Sequence, residues 1–167
     1  MLARSLPTQD AGNAMRSLKP LAVLLPCLLS APAFAGWEVG GGYADEVFSE
    51  SSVTAHVAYA WPAFERYEQA VTLGFIADRS TRTRDISPDV LVLLHTLRIP
   101  WRSFYFGLGA GLVSDKSDVL SSTFQFTQAI GWRFSPNWQL EVRHISNAGI
   151  EGRNIGENLL TLSYRFD

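Results

Sequence analysis

The chain has 167 residues, with 14 basic and 16 acidic side chains and one cysteine. The length allows a single domain, and the near-balanced charge lacks the basic footprint of a nucleic-acid binder. The lone cysteine, Cys27, lies in a segment expected to be removed. That excludes a disulfide framework, a thiolate metal site and a cysteine nucleophile from the rest of the chain.

The first segment reads as a secretory signal. Met15 to Lys19 form a short basic stretch, Leu21 to Leu29 an apolar stretch interrupted by Pro26, and Ala33-Phe34-Ala35 a small-residue cleavage site. The apolar run is too short for a spanning helix. Residues 1–35 are therefore expected to be a signal peptide, with residues 1–14 an upstream extension if translation begins at Met15. Residues 36–167 are expected to form the mature domain. Cys27 is followed by Leu28 and Leu29, not the small residues of a lipidation site.

Beyond Gly36 the recurring period is two, the signature of strands with two unlike faces. Eight segments are expected: 36–44, 52–61, 67–78, 88–98, 103–113, 120–134, 137–147 and 157–166. In "SFYFGLGAGLVS", Phe104, Phe106, Leu108, Ala110 and Leu112 share one face, while Tyr105, Gly107, Gly109 and Gly111 share the other. In the sixth segment Phe124, Phe126, Ile130, Trp132 and Phe134 form the oily face. The fourth, "PDVLVLLHTLR", is oily on both faces, and its β-branched content favours a strand over a buried helix. In the last, Leu160, Leu162, Tyr164 and Phe166 alternate outward, and a near-terminal Phe resembles an outer-membrane assembly signal.

The connections alternate in length. Long ones ("DEVFSES", "RSTRTRDIS", "SDKSDVLSS", "AGIEGRNIG") follow the odd segments, and short ones ("PAFER", "IPWR", "SPN") follow the even ones. Together these features predict an all-β fold, an eight-stranded antiparallel transmembrane β-barrel of the outer membrane. A lipid-embedded backbone must pair every N–H and C=O, so such a sheet closes on itself. Trp37, Tyr59, Trp61, Trp101, Trp132, Trp138 and Tyr164 fall near strand ends and suit interfacial belts. Glu38, His56, Gln125, Arg133, Gln139, Glu141 and Arg143 fall on the less oily faces and are expected to fill the lumen. A soluble lipocalin-like barrel would reverse the two faces.

The seventh segment carries an anomaly. Trp138, Leu140 and Val142 form an oily face that His144 and Ser146 continue. With both termini in the periplasm, the end of this strand reaches the outer leaflet. His144 and Ser146 then point into the lipid boundary at the level of lipopolysaccharide. A serine hydroxyl needs an adjacent base to become a nucleophile, and two residues apart on one strand face brings the pair side by side.

"RHISNAG" followed by "NIGEN", on the last two strands of such a barrel, resembles the lipid A 3-O-deacylase (PagL-type) family. The resemblance implies an esterase that removes the 3-O-linked acyl chain of lipid A, with Ser146 as nucleophile, His144 as general base and Glu157 as the orienting acid. Strict alternation places Glu157 inward and Asn158 outward, so a bulge at the start of the eighth strand would be needed to bring Glu157 to His144. Glu151 is the other carboxylate within reach. Oxyanion and substrate-positioning donors are sought at Asn147, in the Ala148-Gly149 turn and at Asn154. Arg79, Arg82 and Arg84 are candidates for the lipid A phosphates. The acyl chains are expected over the sixth to eighth strands. No cofactor or metal is implied. The partners would be lipopolysaccharide and the outer membrane, with a homodimer left open and no nucleic acid. The rival from another class is a non-enzymatic barrel that anchors the membrane or binds a surface ligand.

Overall fold

The structure is a computed structural model that describes residues 35–45, 51–80, 86–152 and 155–166. The expected signal peptide up to residue 34 lies outside the described residues, as do Arg82, Arg84 and Asn154. The strands in chain order are β1 (Gly36–Asp45), β2 (Ser52–Ala63), β3 (Tyr67–Ile76), β4 (Arg79–Ser80), β5 (Ile86–Ser87), β6 (Val90–Trp101), β7 (Phe104–Val113), β8 (Phe124–Arg133), β9 (Trp138–Ser146) and β10 (Glu157–Phe166). All but β4 and β5 close into one barrel in the order β1-β10-β9-β8-β7-β6-β3-β2. Every neighbouring pair is antiparallel, and β1 pairs with β10 to seal it.

Each of the eight expected strands is present. The fourth runs on to Trp101, so its turn is narrowed to Arg102 and Ser103. The sixth begins at Phe124 rather than 120, because Val119 and Leu120 leave the wall and are buried at the barrel mouth. β4 and β5 pair as a small ribbon within the connection read as a loop. The three-residue turn after β2, Phe64 to Arg66, places Phe64 and Glu65 at positive φ.

The faces sort as a membrane barrel requires, and the soluble alternative fails on them. Val39, Leu73, Leu91, Phe106, Leu108, Ile130, Val142 and Leu162 are exposed, whereas the buried set holds charges. At the short-turn end the aromatic rings touch in runs around the wall. Trp37, Tyr59 and Trp61 form one run, Trp101, Phe104, Trp132 and Phe134 a second, and Trp138, Tyr164 and Phe166 a third. This is an interfacial belt.

The lumen is filled in two tiers. Near the short turns, Arg98 makes a bidentate pair with Glu38 at 2.8 Å and reaches Glu68 at 2.9 Å. Arg133 and Arg165 also bind Glu68, and Gln139 donates to Glu38. Glu141 takes hydrogen bonds from Tyr105 and Arg143. Pairing each of these charges with an opposite one is what makes its burial tolerable, although Arg98 Nε and Arg133 Nε have no hydrogen-bond partner among the described residues. Of the expected lumen residues, His56 lines the small internal cavity and meets Ser163 at 3.1 Å, and Gln125 binds Ser122. Towards the long loops the filling turns apolar: Ala44, Ile76, Val90, Val92, Leu94, Val113, Ile145 and Leu159, with Val119 and Leu120 among them. The cavity left between the tiers is about 20 Å³, room for about one water.

Candidate active site

β9 delivers the site because its alternation never breaks. Glu141, Arg143 and Ile145 are buried in the lumen, while Val142, His144 and Ser146 lie on the outer face. Ser146 is the last residue of the strand, at the long-loop end. His144 and Ser146 line one shallow groove of about 330 Å³ on the lipid face, with Leu108, Phe126, Gln128 and Ala148. The apolar walls come from β7 and β8, so the groove lies over β7–β9, one strand away from the expected position over β8–β10. No hydrogen bond joins the Ser146 hydroxyl to the imidazole among the described residues.

Glu157 does not stand where the expected acid should. The β9–β10 register runs without a bulge, pairing Glu157 with Ile145 and Asn158 with His144. Period-two alternation therefore turns Glu157 into the barrel, where it is 2 % exposed and forms an ion pair with Arg79 at 2.6 Å. Asn158 turns outward, and its Oδ1 lies 2.9 Å from His144 Nδ1. Glu151 is also elsewhere: its carboxylate is exposed and paired with Lys116 at 3.0 Å.

The neighbouring loop organises itself. Asn147 is buried, and its amide donates to Ser121 Oγ at 3.0 Å and to the Glu151 carbonyl at 2.6 Å. Its Oδ1 accepts the Gly149 N–H at 2.9 Å. Asn147 and Gly149 are thus spent on shaping the turn, in which Ala148 and Gly149 both have positive φ. Neither is a free oxyanion donor. The Ala148 N–H makes no hydrogen bond among the described residues, and Ala148 lines the groove beside Ser146.

Arg79 is withdrawn from the phosphate role. Its guanidinium is buried, bound to Glu157 and, at 3.2 Å, to the Ala44 carbonyl. Among the described residues no group of three or more His, Cys, Asp or Glu is placed to hold a metal.

Gln128 is a site residue that the pattern passes over. It stands on the outer face of β8, between Phe126 and Ile130, and pairs in register with both Leu108 and His144. Its side chain makes no hydrogen bond among the described residues. The available signal was the interruption itself, an amide in a run of oil on a lipid-facing strand, which is costly without a use. A row of polar residues, Gln128–His144–Asn158–Asp45, thus crosses β8, β9, β10 and β1.

Among solved structures, the outer membrane protein Ail of Yersinia pestis, in a phospholipid bilayer nanodisc, is similar with a TM-score of 0.49 and 15% identity, over 79% of this chain and 99% of that one. No curated protein matches. A family model described as lipid A 3-O-deacylase (PagL) matches residues 49–167, well over half of the chain and all of the strands that build the groove. The chain belongs to the lipid A 3-O-deacylase (PagL) family and is an integral protein of the outer membrane.

Proposed function

We propose that this protein is a serine esterase that hydrolyses the acyl ester at position 3 of lipid A, with Ser146 as nucleophile and His144 as general base. One observation carries the reading. A histidine and a serine stand together on the lipid-facing wall, in a groove walled by Leu108 and Phe126, at the end of the barrel that bears the long loops. Ionisable and hydroxyl side chains exposed to hydrocarbon are expensive, and a pair of them beside an apolar groove fits a substrate that is itself a lipid.

The reaction follows from these groups. The acyl chain lies along the groove over β7–β9, with its ester at the level of Ser146. His144 takes the hydroxyl proton as Ser146 Oγ attacks the carbonyl carbon. The oxyanion is stabilised by a backbone donor, for which the Ala148 N–H is the candidate. Collapse expels the sugar 3-oxygen, which takes the proton from the imidazolium and leaves the acyl group on Ser146. Water, deprotonated by the same imidazole, releases the fatty acid. Hydrogen bonds of this kind tighten on substrate binding, so a hydroxyl not yet joined to its base is compatible with the mechanism.

Mass spectrometry of lipid A from a Gram-negative host expressing the protein tests this. The wild type removes one 3-linked acyl chain. Ser146→Ala and His144→Ala, at equal levels of folded barrel, lower deacylation by about 10³-fold or more. Unchanged lipid A with the wild type, repeated on extracted lipid in detergent, would instead favour a non-enzymatic barrel. Full activity in Ser146→Ala would remove the nucleophile.

A further inference from the structure

The register leaves the general base with an amide at its back instead of a carboxylate. We infer that Asn158 is the positioning residue that sets the tautomer of His144, in the place a catalytic triad gives to an acid, and that β1 holds Asn158 to that task. The inference rests on the esterase reading above and names a residue within it.

The hydrogen bonds leave one consistent assignment. Asn158 Nδ2 lies 3.3 Å from the Asp45 carbonyl. A carbonyl can only accept, so the amide nitrogen must face β1 and Oδ1 must face His144. Oδ1 in turn can only accept, so His144 Nδ1 carries the proton. The imidazole is then the Nδ1–H tautomer, with the Nε2 lone pair left for the hydroxyl of Ser146. A carboxylate could accept from the ring through either of its oxygens and would need no such anchor. The amide is directional, and the Asp45 carbonyl supplies its direction. Gly156 completes the setting. It packs against the far edge of the ring, where a Cβ would come within 2.6 Å of Cε1 and 3.0 Å of Nε2.

Among the described residues the polar and charged groups around the ring are few. β8 presents the Gln128 amide, and β10 presents the Asn158 amide. β1 presents Asp45 beyond Asn158. On the loop, Glu151 is engaged by Lys116. Glu157 faces the lumen, bound to Arg79.

The test is steady-state release of fatty acid from purified lipid A in detergent micelles, across pH, by refolded barrels checked for heat-modifiable mobility. Asn158→Leu is expected to lower kcat by about 10²- to 10⁴-fold with KM changed less than about threefold, because the wrong tautomer disarms the base without altering the groove. Asn158→Asp keeps an acceptor and retains turnover, but moves the acid limb of the kcat/KM profile to higher pH, since a carboxylate favours the charged ring. Glu157→Gln keeps kcat in the folded fraction. Nitrogen NMR of labelled histidine shows the Nδ1–H form in the wild type and its loss in Asn158→Leu. Near-wild-type kcat in folded Asn158→Leu, or a collapse of kcat in folded Glu157→Gln, overturns the inference. Hydrolysis by Ser146→Ala at the wild-type rate, or none by the wild type, overturns the esterase reading itself and the inference with it.

Discussion

Position 156 shows how little room the histidine has. Gly156 has φ +82, which L side chains adopt only under strain, and its N–H donates to the Val119 carbonyl at 3.0 Å. Gly156→Ala therefore forces the ring aside as well as straining the backbone. Because a displacement near 1 Å can cost about 10²-fold in rate, kcat for lipid A deacylation is expected to fall by at least about 10-fold while the barrel still folds. The same micelle assay with a mobility check measures it. Gly131 makes room of another kind, since a Cβ there would collide with the Tyr105 ring inside the lumen. Gly131→Ala is expected to cost about 1–3 kcal/mol of stability through overpacking, with no direct effect on the groove, as read by urea titration in lipid vesicles.

Much at this scale was legible in the sequence. Parity alone placed His144 and Ser146 on the outer face, and parity alone placed Asn158 there and Glu157 inside. The resemblance drew attention to the carboxylate instead. Which residue meets His144 depends on the hydrogen-bond register between β9 and β10, and a single strand's pattern does not record its partner's register. Gln128 was passed over for a different reason: one amide leaves the period of β8 intact, and only its cost in a lipid-facing run marks it.

Among the elements, the connections diverge most from the sequence pattern. "VLSS" extends the oily alternation of β8 on paper, yet Val119 and Leu120 bury better in the mouth of the barrel than they would in its wall. Tertiary burial overrides the local period there. Arg79, at the start of the β4–β5 ribbon, likewise reads as a loop charge available to lipid A phosphates until the fold brings it to Glu157, far along the chain. Removing one partner of a buried pair leaves a charge without its match, at about 3–5 kcal/mol. Arg79→Met is expected to lower the urea midpoint by a corresponding amount. In the folded fraction the catalytic rate should hold, because neither Arg79 nor Glu157 touches the groove. Equal loss of kcat and stability would tie this pair to the chemistry after all.

For the whole molecule, the long-short alternation of loops and the two faces of each strand were sufficient to read an eight-stranded membrane barrel. The tiered filling was readable only in part. The charged lower tier was visible as Glu38, Gln139, Glu141 and Arg143, but Arg98 and Glu68 sit in strands whose oil dominated the reading. With Arg98 locked between Glu38 and Glu68, and apolar side chains above them, the lumen offers no aqueous path among the described residues. Reconstituted into planar bilayers, the wild type is expected to give no stepwise ion conductance; steady single-channel currents would contradict the filled lumen.

The chain of bonds from His144 through Asn158 to Asp45 lies across the junction where the last strand meets the first. Until β1 has paired with β10, Asn158 has nothing to direct its amide, and the imidazole has no fixed proton. On this reading the event that seals the barrel also arms the esterase. A chain still open along that edge would, on the same proposal, hold its serine and histidine without a competent base. On the esterase proposal, hydrolytic power would arrive only with the finished cylinder.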